Sequence, residues 1–206
     1  MKVKLPFCAL LAVAALSACN QPESAAPAKP ATTASMAEPP PVDDTAPPTI
    51  PAEPPVVYSQ ASFLGYGDMK LGSTIDEARA AWGGELDGAP AEGSSCHYLT
   101  PKWVSKPSDF AFMMEDGRFV RYDVGTDKEI APGGGRVGMS AEELQKMYGG
   151  ALESAPHKYV EGGQYLSIDA SGVAPTKLVF EVDADGKVSA WRVGLLPQAD
   201  YVEGCS

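Results

Sequence analysis

Several groupings in this chain have residue types and spacings that could do chemistry. His97 and His157 are the only imidazoles, and neither has a second ligand at helical or turn spacing. A zinc site needs three or four converging N or S ligands, and a Ser-His-Asp relay needs a base oriented by a carboxylate, so the sequence assembles neither. Glu181-x-Asp183-x-Asp185-Gly186 begins like a calcium loop, but Arg192 occupies the twelfth position, where a bidentate Glu is required; a hairpin turn is the expected structure. Gly133-x-Gly135-x-x-Gly138 matches the dinucleotide fingerprint as a string, yet no strand feeds it, which predicts a linker. The neighbouring carboxylates Asp76/Glu77 and Glu142/Glu143 could trade protons, but their position at helix starts, facing the positive end of the dipole, accounts for them. No cofactor, metal or catalytic constellation is expected, and the chain reads as non-enzymatic.

The elements that must position these residues come in two similar sets. LGSTIDEARAAWGG (71–84) returns sixty-six residues later as VGMSAEELQKMYGG (137–150). Thr74-Ile75-Asp76-Glu77 and Ser140-Ala141-Glu142-Glu143 are both capping boxes, in which the hydroxyl accepts from the third helical N–H and the Glu accepts from the cap N–H. Ile75, Ala78 and Trp82 share one helical face, as do Ala141, Leu144 and Tyr148, and a Gly-Gly pair stops each helix. Helices this short are not stable alone in water, so they must lie on something.

That something is a sheet. FAFMMEDGRFVRYDVG (110–125) matches LVFEVDADGKVSAWRVG (178–194) with one insertion, and Asp-Gly between alternating apolar runs is a strong hairpin signal. A two-residue turn at Asp185-Gly186 places Leu178, Phe180 and Val182 beside Ser189, Trp191 and Val193. A three-residue loop Glu115-Asp116-Gly117 places Phe110, Phe112 and Met114 beside Val120, Tyr122 and Val124, giving one continuous apolar face. The opposite face then carries Met113, Phe119, Arg121 and Asp123 from the first set, and Val179, Glu181, Val188, Ala190 and Arg192 from the second, joined by Tyr98 and Tyr165. The expected fold class is α+β, with two tandem helix-plus-three-strand repeats (about 65–130 and 131–196, tail 197–206) and the helices on one face of an antiparallel sheet.

The amino terminus is of another kind. Lys2 and Lys4, the apolar run Leu5–Leu16 and then Leu16-Ser17-Ala18-Cys19 resemble the lipobox of bacterial lipoproteins. The resemblance implies a signal peptide 1–18, diacylglycerol on the Cys19 thiol and a further acyl chain, such as palmitate, on its amine. With Asn20 next, it implies sorting to the outer membrane. Acyl chains add about 0.8 kcal/mol per buried CH₂, so two or three give permanent anchoring. Residues 19–56 are rich in Pro and Ala, with Pro runs at 39–41, 47–48 and 54–55, and read as a disordered tether with a reach on the order of 100 Å. In residues 57–206, one domain's length, 22 acidic side chains face 13 basic ones, which disfavours nucleic acid and anionic lipid surfaces as partners. Cys96 and Cys205, two cysteines in an oxidising compartment without neighbouring metal ligands, read as one disulfide pinning the tail to the first half.

The paired helix starts, Gly-Gly stops and hairpins over residues 65–194 resemble the repeat of the β-lactamase inhibitor protein (BLIP) family, and more loosely the small lipoproteins of the barrel-assembly machinery. Each unit here lacks that family's cysteine pattern. The resemblance implies a sheet face that grips another protein, as an inhibitor or an envelope-assembly component. The expected binding face is Tyr98, Met113, Phe119, Arg121, Asp123, Tyr165, Glu181 and Arg192. The expected setting is the periplasmic side of the outer membrane, with an envelope protein as partner. The alternative is a carbohydrate-binding module in which Tyr98, Tyr165 and Trp103 stack on sugars.

Overall fold

A computed structural model describes residues 59–170 and 175–205. The leader 1–18, Cys19 and the Pro/Ala-rich segment to residue 56 lie outside the described residues.

Two helices form where the caps predict. Helix α1 (Ile75–Trp82) starts at Thr74, whose hydroxyl accepts from the Glu77 N–H at 3.3 Å while the Glu77 carboxylate accepts from the Thr74 N–H at 2.8 Å. Helix α2 (Ala141–Met147) starts at Ser140 with the same pair of bonds at 3.2 and 2.7 Å. Gly83 ends α1 with φ 69°, a left-handed conformation that a Cβ would disfavour.

Eleven strands are described: β1 (Ala61–Ser62), β2 (Gly65–Tyr66), β3 (Met69–Lys70), β4 (Leu86–Asp87), β5 (Cys96–Pro101), β6 (Phe110–Glu115), β7 (Arg118–Val124), β8 (Glu153–Pro156), β9 (Gln164–Asp169), β10 (Thr176–Val182) and β11 (Val188–Leu195). The first three make a small sheet, and the rest make one eight-stranded antiparallel sheet in the order β4-β5-β6-β7-β11-β10-β9-β8. The fold is α+β. The two hairpins β6–β7 and β10–β11 meet at the centre, where Trp191 lies opposite Val124, Arg192 opposite Asp123 and Gly194 opposite Arg121.

Both helices cover one face of the large sheet, and the core between them holds Phe110, Phe112, Tyr122, Leu144, Phe180 and Trp191. Aromatic rings dominate the first half: Phe112 packs edge-on to Phe119 at 5.6 Å and Tyr122 edge-on to Trp191 at 5.9 Å. The Tyr122 hydroxyl donates to Ser62 O at 2.8 Å, tying the small sheet to the large one. Two glycines of the 133–138 string, Gly133 and Gly135, serve packing. A Cβ on Gly135 would lie 2.5 Å from Phe180 and 2.9 Å from Leu144.

Two registers differ from the sequence expectation, for one physical reason. In the first hairpin the turn is the two residues Asp116-Gly117, both at positive φ, and Glu115 pairs with Arg118. The extra residue sits instead in a β-bulge beside Met113/Met114, so Phe119 lies opposite Met114 and enters the core. In the second hairpin the turn is longer and the bulge falls beside Glu181/Val182, so Val188, not Ser189, lies opposite Val182. The Asp183 carboxylate closes that turn by accepting from the N–H groups of Asp185 and Lys187. Phe119 and Val188 are therefore core residues and leave the opposite face.

Candidate functional site

The sheet face away from the helices gathers Tyr98 from β5, Met113 from β6, Arg121 and Asp123 from β7, Arg192 from β11, Glu181 from β10 and Tyr165 from β9. Of the expected binding face, all but Phe119 come together. The face is not open, however. After β11 the chain turns back through a short 3-10 helix (Gln198–Asp200) and runs to Cys205, which is bonded to Cys96 of β5 with the Cα atoms 5.3 Å apart. This strap covers the centre, and Met113, Arg121 and Arg192 are only 0, 3 and 4 % exposed. Met113 and Val179, both expected on this outer face, are buried within the molecule.

Two arginines hold the strap. The Arg121 guanidinium grips Asp123 in bidentate fashion (3.0 and 2.8 Å) and donates to the carbonyls of Gln198 (2.9 Å) and Tyr201 (2.7 Å) and to the Tyr98 hydroxyl (3.1 Å). Gly194, directly across the ladder, makes room for it, since a Cβ there would lie 2.9 Å from the Arg121 Cβ. Arg192 donates through Nε to Ala199 O at 2.7 Å and through Nη1 to Glu181, with its guanidinium 5.8 Å above the Tyr165 ring. Burying a guanidinium is tolerable only when its donors find partners, and here a carboxylate and strap carbonyls supply them.

His157, which stands apart in the sequence, joins this cluster. Its ring stacks on Tyr165 (4.5 Å, 22° between planes), and its Nδ1 accepts from the N–H groups of Tyr159 and Val160. That leaves Nε2 facing Glu181 at 3.8 Å. The strap has further ties: Gln198 to Glu115, Lys177 to Asp200, and Lys158 and Tyr159 to Glu203. The sequence signal for the strap was Cys205 itself, because a bond from the tail to Cys96 must carry the tail across β5.

The electrostatics are those of neutralised pairs. Burial would lower the Arg121 pKa, but the Asp123 carboxylate and the Tyr98 hydroxyl outweigh it and hold the guanidinium above its ordinary value. The Tyr98 hydroxyl is pushed up to about 12 by burial and by the Asp123 charge, against the opposing pull of Arg121. Both groups are driven away from the range useful for proton transfer near neutrality. A cavity of about 310 Å³ remains between strap and strands, lined by Tyr98, Arg121, Asp123, Glu181, Arg192 and Val202 among others. Among the described residues no cluster of three His, Cys, Asp or Glu side chains could hold a metal ion.

No family model and no curated protein matches the chain. Solved structures with partial likeness include an extracellular SCP-domain protein from Bacillus anthracis (12 % identity, TM-score 0.44, covering 70 % of this chain and 49 % of that one). This chain thus spans about half the length of that protein. The yfeY protein from Escherichia coli shows 17 % identity and a TM-score of 0.44, over 66 % of this chain and 99 % of that one. A DUF4309 family protein, YjgB, from Bacillus subtilis shows 14 % identity and a TM-score of 0.37, over 63 % and 84 %.

Proposed function

We propose that this chain is a lipoprotein anchored through Cys19 to the outer membrane and facing the periplasm. In this reading a BLIP-like tandem-repeat domain binds another envelope protein without catalysing a reaction. The repeat reading is supported by matched backbone bonds. Gly72 N donates to Phe119 O and Gly138 N to Val188 O; Phe119 N donates to Ser73 O and Val188 N to Met139 O; Ile75 N donates to Gly117 O and Ala141 N to Gly186 O. Each pair is offset by nearly the same distance along the chain, and each docks a helix start onto a hairpin turn.

The observation that carries the binding reading is the cavity under the strap. Its lining leaves the half-buried Tyr98 and Asp123, both held by the buried Arg121, at the centre of a broad sheet, and Tyr is enriched among interface anchors. Preorganised side chains lose little entropy when a partner arrives. The rim residues Val202 and Glu203 and the half-buried Tyr98 and Asp123 are the ones a partner would touch first.

The test is a crosslinking pulldown from intact cells, comparing wild type with Val202→Asp/Glu203→Lys at equal melting temperature. Loss of a specific partner is expected, and undiminished recovery of every partner would overturn the assignment of the face. The anchor is tested separately: palmitate labelling and outer-membrane fractionation should both vanish in Cys19→Ala.

A further inference from the structure

Trp103 lies in the connection between β5 and β6 and is 62 % exposed, the most exposed of the large apolar residues among the described ones. It is not loose. The ring stacks on Phe110, with centroids 5.8 Å apart and planes 19° from parallel, and Phe110 is itself a core residue packed 5.0 Å from both Tyr66 and Phe112. The core thus backs one face of the indole and presents the other to solvent. A depression opens on each side. One, of about 160 Å³, is lined by Ser105, Asp109, Thr126, Lys128 and Glu129. The other, of about 350 Å³, is lined by Trp82, Glu85 and Lys102 and by bare backbone at Gly83-Gly84.

The chemistry of this surround selects a ligand class. The core of a protein interface is depleted of charged side chains, whereas here charged groups intermingle with apolar ones (Val104, Phe110, Trp82, Pro101) directly around the indole. Carboxylates, hydroxyls and ammonium groups around one flat ring suit a molecule with an apolar C–H face and a periphery of hydroxyls. Three carboxylates against two ammonium groups disfavour an anionic polymer. The other two rings expected to stack on sugars are engaged elsewhere, Tyr98 with Arg121 and Tyr165 with His157.

We propose that Trp103 is the platform of a site for neutral oligosaccharides, one sugar ring stacking on the indole and its neighbours reaching into the two depressions. None of these residues lines the cavity under the strap, which the same connection reaches through Pro107 and Ser108.

The test uses the full chain, titrated with chitotetraose, cellotetraose and maltotetraose while the Trp103 indole N–H is followed by NMR and binding heat by calorimetry. At least one sugar should shift that resonance saturably. Trp103→Ala should abolish the heat, and Asp109→Asn should weaken binding several-fold at an unchanged melting temperature. Should Trp103→Ala melt early, Trp103→Phe, which keeps a ring over Phe110, should bind more weakly but detectably, and Asp109→Asn carries the test. Silence of the indole with all three sugars overturns the proposal, as does equal heat from a stably folded Trp103→Ala. A negative sugar titration leaves the pulldown of a protein partner untouched, so the two readings fail separately.

Discussion

The hairpins β6–β7 and β10–β11 pair alike on the side turned toward the helices and unlike on the side turned away. On the core side Phe112 and Tyr122 face each other as Phe180 and Trp191 do, and Met114 and Phe119 as Val182 and Val188 do. On the strap side the first hairpin pairs Arg121 with Asp123 along one strand, while the second pairs Arg192 with Glu181 across two. The core face must satisfy only volume and alternation, which many apolar residues can do. A face that grips a strap must place charges singly, and each half does so in its own way. The difference teaches that core pairing constrains packing in both hairpins alike, while the outer face of each is free to specialise.

The largest effects should come from the shared side. Tyr122→Ala and Trp191→Ala each remove a fully buried ring, at a cost of about 3–5 kcal/mol. Tyr122→Ala also removes the bond to Ser62 O, so it should be the more damaging relative to the ring volume lost. Chemical denaturation measures both, and a loss confined to one variant would break the equivalence of the two hairpins.

Next comes the covalent end of the strap. Cys96 and Cys205 are 109 residues apart, and for a loop of that order the chain-entropy model gives up to about 4.7 kcal/mol. Cys205→Ser should lower the unfolding midpoint and raise amide exchange at Gln198–Tyr201, while leaving exchange in α1 and α2 little changed. Two titratable thiols in the unfolded, unreduced protein would contradict the bond.

The two arginines sharpen the comparison. Arg121 makes bonds to Asp123, Gln198, Tyr201 and Tyr98, whereas Arg192 reaches only Ala199 and Glu181. Removing one member of a fully buried pair costs about 3–5 kcal/mol, but the Asp123 and Glu181 side chains keep 21 and 24 % exposure and water reaches what is left. Arg121→Ala should therefore cost about 2 kcal/mol and Arg192→Ala about 1 kcal/mol. The reverse order would show that the second half, not the first, anchors the strap.

How far the sequence disclosed this molecule follows the range of each interaction. The capping boxes at Thr74 and Ser140 were legible because each is written within four residues, and so were the hairpins around Asp116-Gly117 and Asp183–Lys187. Phe119 was misassigned because an extra residue can sit in a turn or in a bulge, and the sequence pattern alone does not say which; the choice flips the side chain. The role of Arg121 was hidden because its partners Gln198 and Tyr201 are 77 and 80 residues away. Only Cys205 hinted that the tail returns.

The smallest effect isolates a difference on the core side, where the halves otherwise agree. His97 in β5 is buried, with an unpartnered Nδ1, and lies opposite Met114 as Gln164 lies opposite Val182. Burial, and secondarily the Arg79 charge, lower its pKa below the ordinary value. In the unfolded chain the imidazole takes a proton near pH 6.5, while the folded state resists until lower pH, so the unfolded state binds more protons in between. The stabilisation that comes from keeping His97 neutral is therefore complete above about pH 6.5 and is lost as pH falls through the folded pKa. His97→Gln, which installs the residue found at the matching strand position, should flatten that slope of stability against pH below about pH 6.5. Denaturation midpoints at several pH values measure it. An unchanged slope in the variant would mean that the acid sensitivity lies elsewhere.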